Sequence, residues 1–480
     1  MPKYKEYRAI WFLPSCIDNT IVGTLKLDLA TGNSVLELFG NFNDQTSRFE
    51  EIILGITDEE VNITLHICHR KKWKGPVRRR DGLPAFSITA QAIYHTSYTF
   101  VGAHINHVSQ LKFNSISSKI THMPEWLGIN GFSNIDTDYL ETHSEITYKL
   151  PKPIKFKLEK FRGEIKFIAS VPSIYTYQAS ATISQSVRLS LTSDNSYDFN
   201  ELLNELDIFK NFLVLALHTH VNINNIQLQS STFSKEIDCY QKSEIGMEQV
   251  KVRIPDIIEL FIPVRKEVID LRNKMANEML FVYDDIKENF AEIIYKWYEK
   301  HSILAPAFNL LSEQFNAKEK IAESSFLNLA QAIETFHARL NKNLRQIDKK
   351  EFDIIKGKIK SALLENEYKN IERLLTNYPY LDTRIQSVLD NYSTEFIDKI
   401  VGDKELFKKN LKQSRNYYTH YDPQGYRQAL KGIELIHLSK KIQILLTSAC
   451  LIETGISKDK LNIWLEEKGY KMFGIKSENI

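Results

Sequence analysis

An arginine, four residues and a histidine, Arg415-Asn416-Tyr417-Tyr418-Thr419-His420, form the stretch of this 480-residue chain best equipped for chemistry. An imidazole titrates near neutrality and can take or give a proton there. A guanidinium is permanently charged, and its forked donors match the oxygens of a phosphate. The pair suits cleavage of a phosphodiester. Histidine would take the 2′-hydroxyl proton of RNA while arginine steadies the charge on the pentavalent phosphate. The hexapeptide alone is short enough to occur by chance. The plainer alternative is an arginine bonding carbonyls at a helix end, with a histidine capping the turn.

The element that carries the motif is legible. Residues 404–419 contain no Gly or Pro and repeat Phe407, Leu411, Ser414 and Tyr418 at helical spacing on one face. Lys404, Lys408, Lys412 and Arg415 fall on an adjacent stripe, so basic side chains run along the predicted helix toward the motif. Pro423 disfavours a helical Asp422, which predicts an end near Tyr421. On an uninterrupted helix Arg415 and His420 point roughly 140° apart, at about 100° per residue. They converge only if the chain turns off the helix before His420, or if a second copy supplies one group.

RNYYTHYDP (415–423), with a polar residue directly after the arginine, resembles the HEPN ribonuclease superfamily, and more closely the ApeA-type HEPN proteins of bacterial anti-phage defence. The stretch SSFLNLAQAIETFHARL (324–340) resembles the first HEPN helix of that group. WFLP (11–14), GTL (23–25), VGAHI (101–105) and EWLGINGF (125–132) resemble its amino-terminal domain. The resemblance covers nearly the whole chain, but only the Rx4H string carries chemistry.

Composition narrows the classes. With 43% hydrophobic and 25% charged residues, the chain reads as an ordinary soluble protein long enough for two or three domains. A net charge of +2 excludes a general polyanion binder, so nucleic-acid contacts must come from local patches. The start, MPKYKEYRAIWF, lacks the apolar core of a signal peptide, and the strongly apolar run 212–217 is too short to span a bilayer. Cys16, Cys68, Cys239 and Cys450 are scattered without framework spacing, as suits a reducing cytoplasm. The expectation is a cytoplasmic protein without a membrane partner.

Residues 7–170 consist of short β-branched and aromatic runs separated by turns, among them IVGTLKLDL, SVLELFG, NITLHICH, YTFVGAHI and EIKFIASV. Leu25, Leu27 and Leu29 alternate with Thr24, Lys26 and Asp28, as half-buried strands do. SVRLSLTS (186–193) and NNIQLQSSTF (224–233) read as further strands around a helix at 200–220. Arg70, Lys71, Lys72, Lys74, Arg78, Arg79 and Arg80 surround Trp73, and Gly75-Pro76 implies a loop. Such a loop could hold an RNA backbone and stack a base, or be a solvated hairpin tip. His66, Cys68, His69, His104, His107, His218 and His220 match no zinc spacing and read as core or surface residues, so neither metal nor cofactor is expected.

From about Pro255 charged and apolar residues take helical spacing. Residues 257–279 and 284–304 each read as a long helix or helix pair. In 324–340, Phe326, Ala330, Ile333, His337 and Leu340 share a face, with Glu334 at its edge, placed to pair with His337 or to reach the motif arginine. Residues 351–401 continue as amphipathic helices broken near Tyr378-Pro379, and 428–453 form a long helix closed by Thr454-Gly455. The predicted class is α+β: a β-rich amino-terminal domain (1–250), a helical connector (251–310), an all-α HEPN bundle (311–456) and a tail (457–480) with a short helix near Trp464.

The resemblance implies a metal-independent endoribonuclease that dimerises through its HEPN domain, as a simple dimer or a larger assembly, so that two motifs face one cleft. His420 acts as base in one subunit and acid in the other, Arg415 clamps the phosphate, Asn416 orients either group, and Tyr417 or Tyr421 contacts a base or sugar. The products carry a 2′,3′-cyclic phosphate and a 5′-hydroxyl. The resemblance further implies host or phage RNA as substrate, tRNA and other structured host RNAs included. It implies activity held in check until a phage-derived trigger appears and then halting host growth, with the amino-terminal domain as sensor or restraint. Two alternatives are a non-catalytic HEPN module that binds RNA or nucleotides or dimerises, and a phosphate-transfer partner of another protein.

Overall fold

The computed structural model describes residues 4–42, 48–74, 91–137, 144–171, 181–243, 246–264, 274–316 and 321–475. The chain divides into two compact units. One holds Met1–Pro124, Ile129–Lys210 and Val221–Leu271; the other holds Glu125–Gly128, Asn211–His220 and Arg272–Ile480.

The first unit is β-barrel-rich. β1 (Tyr4–Leu13), β2 (Cys16–Asp28), β3 (Ser34–Leu38), β4 (Phe49–Thr57), β5 (Asn62–Lys74) and β6 (Gln91–Val101) close a ring through antiparallel pairs in the order β1-β2-β3-β6-β5-β4-β1. Alternation with a period of two fills it: Tyr7, Ala9, Trp11 and Leu13 of β1 share one core with Leu25, Leu27, Leu36, Leu38, Ile63, Leu65 and Tyr94. Gly55 makes room for Trp11, since a Cβ there would fall 2.4 Å from the indole ring. Leu29, past the end of β2, is exposed.

The far end of β6 also pairs with a four-residue strand, Ile258–Phe261, and this extends the sheet. Its remaining strands are β7 (Lys112–Ile120), β10 (Ile154–Lys157), β11 (Arg162–Ser170), β12 (Ser184–Asp198) and β13 (Ile223–Gln229), and Ile258–Phe261 is β16. They are ordered β16-β13-β7-β12-β11-β10. β8 (Phe132–Thr137) with β9 (Ser144–Tyr148), and β14 (Ser234–Ser243) with β15 (Gly246–Pro255), form two separate hairpins. The short α1 (Met123–Leu127) follows β7, and α2 (Phe199–Leu217) matches the helix predicted at 200–220.

Two sequence expectations change here. The helix predicted over 257–279 and the helical connector from residue 251 begin instead as strand, at the end of β15 and in β16. Ile258 and Leu260 are buried while Glu259 and Phe261 are half-exposed, a period of two, and Pro255 and Pro263 bound the run. A short apolar run does not by itself distinguish strand from helix. The basic cluster differs too: Arg70, Lys71, Lys72, Trp73 and Lys74 lie in β5 rather than on a loop. Their backbone is paired to β6 over Gln91–Tyr94, with a bulge between Arg70 and Lys72. Arg78, Arg79 and Arg80 lie outside the described residues.

The second unit is helical. Its helices are α3 (Tyr283–Ile286), α4 (Phe290–Asn316), α5 (Ala322–Leu340), α6 (Lys349–Ala362), α7 (Glu365–Ile371), α8 (Leu381–Tyr392), α9 (Glu395–Val401), α10 (Lys404–His420), α11 (Gly432–Glu453) and α12 (Lys458–Phe473). α11 is apolar and long enough to cross a membrane by composition, yet 67% of its most apolar window is buried against the rest of the protein. It is the central helix of the bundle. Glu453 at its end accepts from Lys300 of α4 and Tyr392 of α8, both at 2.6 Å. The expected tail is a sixteen-residue helix that buries Leu461, Trp464, Leu465 and Phe473.

Candidate active site

α10 is the helix that presents the motif. Asp403 caps its start, accepting from the backbone N–H groups of Glu405 and Leu406 at 2.9 and 3.1 Å. Phe407, Leu411, Ser414 and Tyr418 are its buried residues, the face predicted from spacing, and each large apolar member contributes roughly 1.5–3 kcal/mol by burial. The helix continues through His420. It ends at Tyr421, which takes a left-handed conformation (φ 51°) and donates its N–H to the Tyr417 carbonyl. The chain therefore does not turn before His420, and Arg415 and His420 of one chain leave the helix roughly 140° apart.

The loop after α10 is pinned back onto it. Ser414 Oγ accepts from the Leu430 N–H at 3.0 Å, and Tyr418 donates its hydroxyl proton to the Leu430 carbonyl at 2.9 Å. Burial raises the pKa of Tyr418, with the nearby Glu323 adding to it. Tyr417 packs edge-on against Tyr418, Tyr421 and Tyr426, while Tyr421 and Tyr426 stay 60% and 53% exposed. An aromatic surface therefore lies beside the exposed His420.

Arg415 is held on its other side. Its Nε donates to Glu334 Oε1 of α5 at 3.1 Å, and an Nη donates more weakly to the Asn416 side chain at 3.4 Å. Thr419 donates to the Arg415 carbonyl at 2.7 Å. Of the two partners open to Glu334 in the sequence, the arginine is the one it meets. His337 is buried instead, its pKa lowered first by burial and then by Arg384.

Arg415, Tyr418 and Thr419 form one wall of an open groove of about 890 Å³. α5 supplies Leu327, Gln331, Glu334, Thr335, Ala338 and Arg339, Lys342 follows it, and α8 supplies Arg384. His420 is not among its lining residues.

The profile described as ApeA N-terminal domain 1 matches residues 6–297, and the profile described as Apea-like HEPN matches residues 327–460. The chain belongs to the ApeA-type HEPN family. No curated protein and no solved structure was found to be similar to it. At the family level, this membership points to an anti-phage nuclease of the HEPN class.

Within the HEPN bundle the predicted residues separate into groups. Arg415 contacts both Glu334 and Asn416; Tyr417, His420 and Tyr421 lie around the end of α10. The stripe lysines each meet an acid: Lys404 with Asp398 at 2.9 Å, Lys408 with Glu405 at 2.6 Å and also Gln386, and Lys412 with Asp382 at 2.5 Å. In the barrel unit, Arg70 bonds Asn41 at 3.3 Å, and Lys71 and Lys72 are exposed. His66 and His104 bond the backbone carbonyls of Glu51 and Gly55. Sequence reasoning missed Arg339, Lys342 and Arg384. Lys342 repeats the spacing of Glu334 and Ala338, so extending that face finds it; Arg384 carries no local signal.

Proposed function

We propose that this HEPN protein is a metal-independent endoribonuclease that cleaves by attack of the substrate's own 2′-hydroxyl. The observation that carries the reading is an arginine held by a carboxylate at the wall of a basic groove, with an exposed histidine on the same helix. His420 abstracts the 2′-hydroxyl proton, Arg415 stabilises the charge on the phosphate, and the products are a 2′,3′-cyclic phosphate and a 5′-hydroxyl. Asn416, already in contact with the guanidinium, helps hold its plane.

The unbroken course of α10 supports a composite site. Because the two side chains diverge on one chain, a single cleft draws on two copies, with one His420 as base and the other as acid. The working form is then a homodimer joined through the HEPN bundle. Cytoplasmic RNA cleaved after a phage-derived trigger, with arrest of host growth, completes the proposal, and the barrel-rich unit is the candidate sensor or restraint.

The test uses purified protein and total RNA in EDTA. Arg415→Ala and His420→Ala should each abolish cleavage while keeping the wild-type melting temperature within a few degrees, since neither side chain is on the buried face of α10. An oligonucleotide with 2′-deoxyribose at the scissile position should be inert. Wild-type rates in either folded variant, or activity that EDTA removes and magnesium restores, would overturn the assignment.

A further inference from the structure

The groove beside Arg415 carries three further cations, Arg339, Lys342 and Arg384, that no acid pairs with among the described residues. Arg384 has its Nε turned to the Pro379 carbonyl at 3.0 Å, which fixes it on the groove wall. Glu334 is the one acid in the lining, and it already holds Arg415. The stripe Lys404, Lys408 and Lys412 is the opposite case, because each of its ammonium groups already has an acidic partner.

That contrast decides where a polyanion gains most. An ammonium with a carboxylate at 2.5–2.9 Å must give up that partner to take a phosphate, whereas a free cation releases only condensed counterions. Length matters as well. Arg339 lies five residues beyond Glu334, roughly 7.5 Å along α5 at the helical rise, and Lys342 follows the end of that helix, so the cations together span more than one phosphate group. The groove therefore suits a run of phosphates rather than a single anion. Gln331 and Thr335 on the same wall add neutral hydrogen-bonding groups.

We infer that Arg339, Lys342 and Arg384 bind the RNA backbone flanking the scissile phosphate, so that the substrate enters Arg415 along the α5–α8 groove and not along the lysine stripe of α10. The inference rests on the nuclease reading for the identity of the polyanion. It adds three positioning residues to that site. Backbone contacts of this kind hold and orient RNA without reading its sequence.

The experiment measures binding of a single-stranded, fully 2′-O-methylated oligoribonucleotide, which cannot be cleaved, to the full-length protein by fluorescence anisotropy from 50 to 300 mM salt. Three lost contacts should reduce the slope of log Kd against log salt by about 2, at roughly 0.7 per phosphate for single strands. The variant is Arg339→Gln/Lys342→Gln/Arg384→Gln. If loss of the Arg384 bond to Pro379 prevents folding, the exposed pair Arg339→Gln/Lys342→Gln should still reduce the slope by about 1.4. Lys404→Gln/Lys408→Gln/Lys412→Gln should leave it nearly unchanged. A slope unaltered in the groove variant, or one flattened only in the stripe variant, overturns the inference. ATP binding as tight as the oligonucleotide also overturns it, in favour of a nucleotide pocket. Failure of the nuclease reading would appear separately, as absent cleavage by the wild type.

Discussion

Removing the carboxylate that holds Arg415 separates two opposed roles for Glu334. In Glu334→Ala the Nε–H of Arg415 loses its acceptor at 3.1 Å. A hydrogen bond to a charged group contributes roughly 1.5–3 kcal/mol. The two side chains are 33% and 23% exposed, and solvent screening brings the figure down to about 1–2 kcal/mol. If Glu334 keeps the guanidinium where phosphate charge develops, that loss falls on the transition state and kcat drops about 5- to 30-fold. Glu334→Gln retains an amide oxygen to accept from Nε, so it should recover most of the rate, with less than about a 5-fold deficit. Cleavage of a fluorophore-quenched oligoribonucleotide in EDTA under single-turnover conditions measures the effect, and a thermal melt of each variant confirms the fold. A Glu334→Ala protein that is folded and cleaves as fast as wild type, or faster, refutes the positioning role. A faster variant would mean that the carboxylate restrains the arginine.

Other outcomes follow from single observations. His218 has both ring nitrogens buried, its ring lies between Phe315 and Phe473, and burial, followed by the charge of Lys274, lowers its pKa to about 3. The folded state thus binds fewer protons than the unfolded state below about pH 6.5, and stability falls as pH drops, by about 2 kcal/mol between pH 7 and pH 5. Urea unfolding at those pH values should show this loss and a flatter dependence in His218→Asn, a residue tolerated at this left-handed position (φ 48°); equal slopes would refute it. Tyr418→Phe should reduce stability by about 1 kcal/mol and speed amide exchange in Gln424–Leu430, because the bond to the Leu430 carbonyl goes with the hydroxyl. Unchanged exchange there would show that the loop is held by other contacts. Cleavage per chain by the wild type should also fall on dilution, because the proposed site is shared between two copies, and a rate per chain constant down to the lowest detectable concentration would exclude the shared cleft.

Local pattern was enough for the helix that bears the motif. Phe407, Leu411, Ser414 and Tyr418 recur at the spacing of an α-helix, and that periodicity alone selected the buried face of α10. Alternation did the same for the barrel strands, where Leu25, Leu27, Leu36 and Leu38 point inward. Arg415 and His420 were visible as residue types at a fixed spacing. Whether they could meet was not, because it turned on one local choice: Pro423 limits the helix but does not say that His420 still belongs to it. Short apolar runs were ambiguous for the same reason, and Ile258–Phe261 became strand because β6 and β13 offered it backbone partners on both sides.

Charge was the least legible property. A sequence displays Lys404, Lys408 and Lys412 as a basic stripe and places Glu405 one turn before Lys408, but only the folded bundle brings Asp398 and Asp382 against the other two. Glu334 lies 81 residues before the arginine it holds, and Arg384 reaches the same groove from a third helix. Coulomb interactions depend on distance in space and on what screens them, and neither is written in the order of residues along the chain.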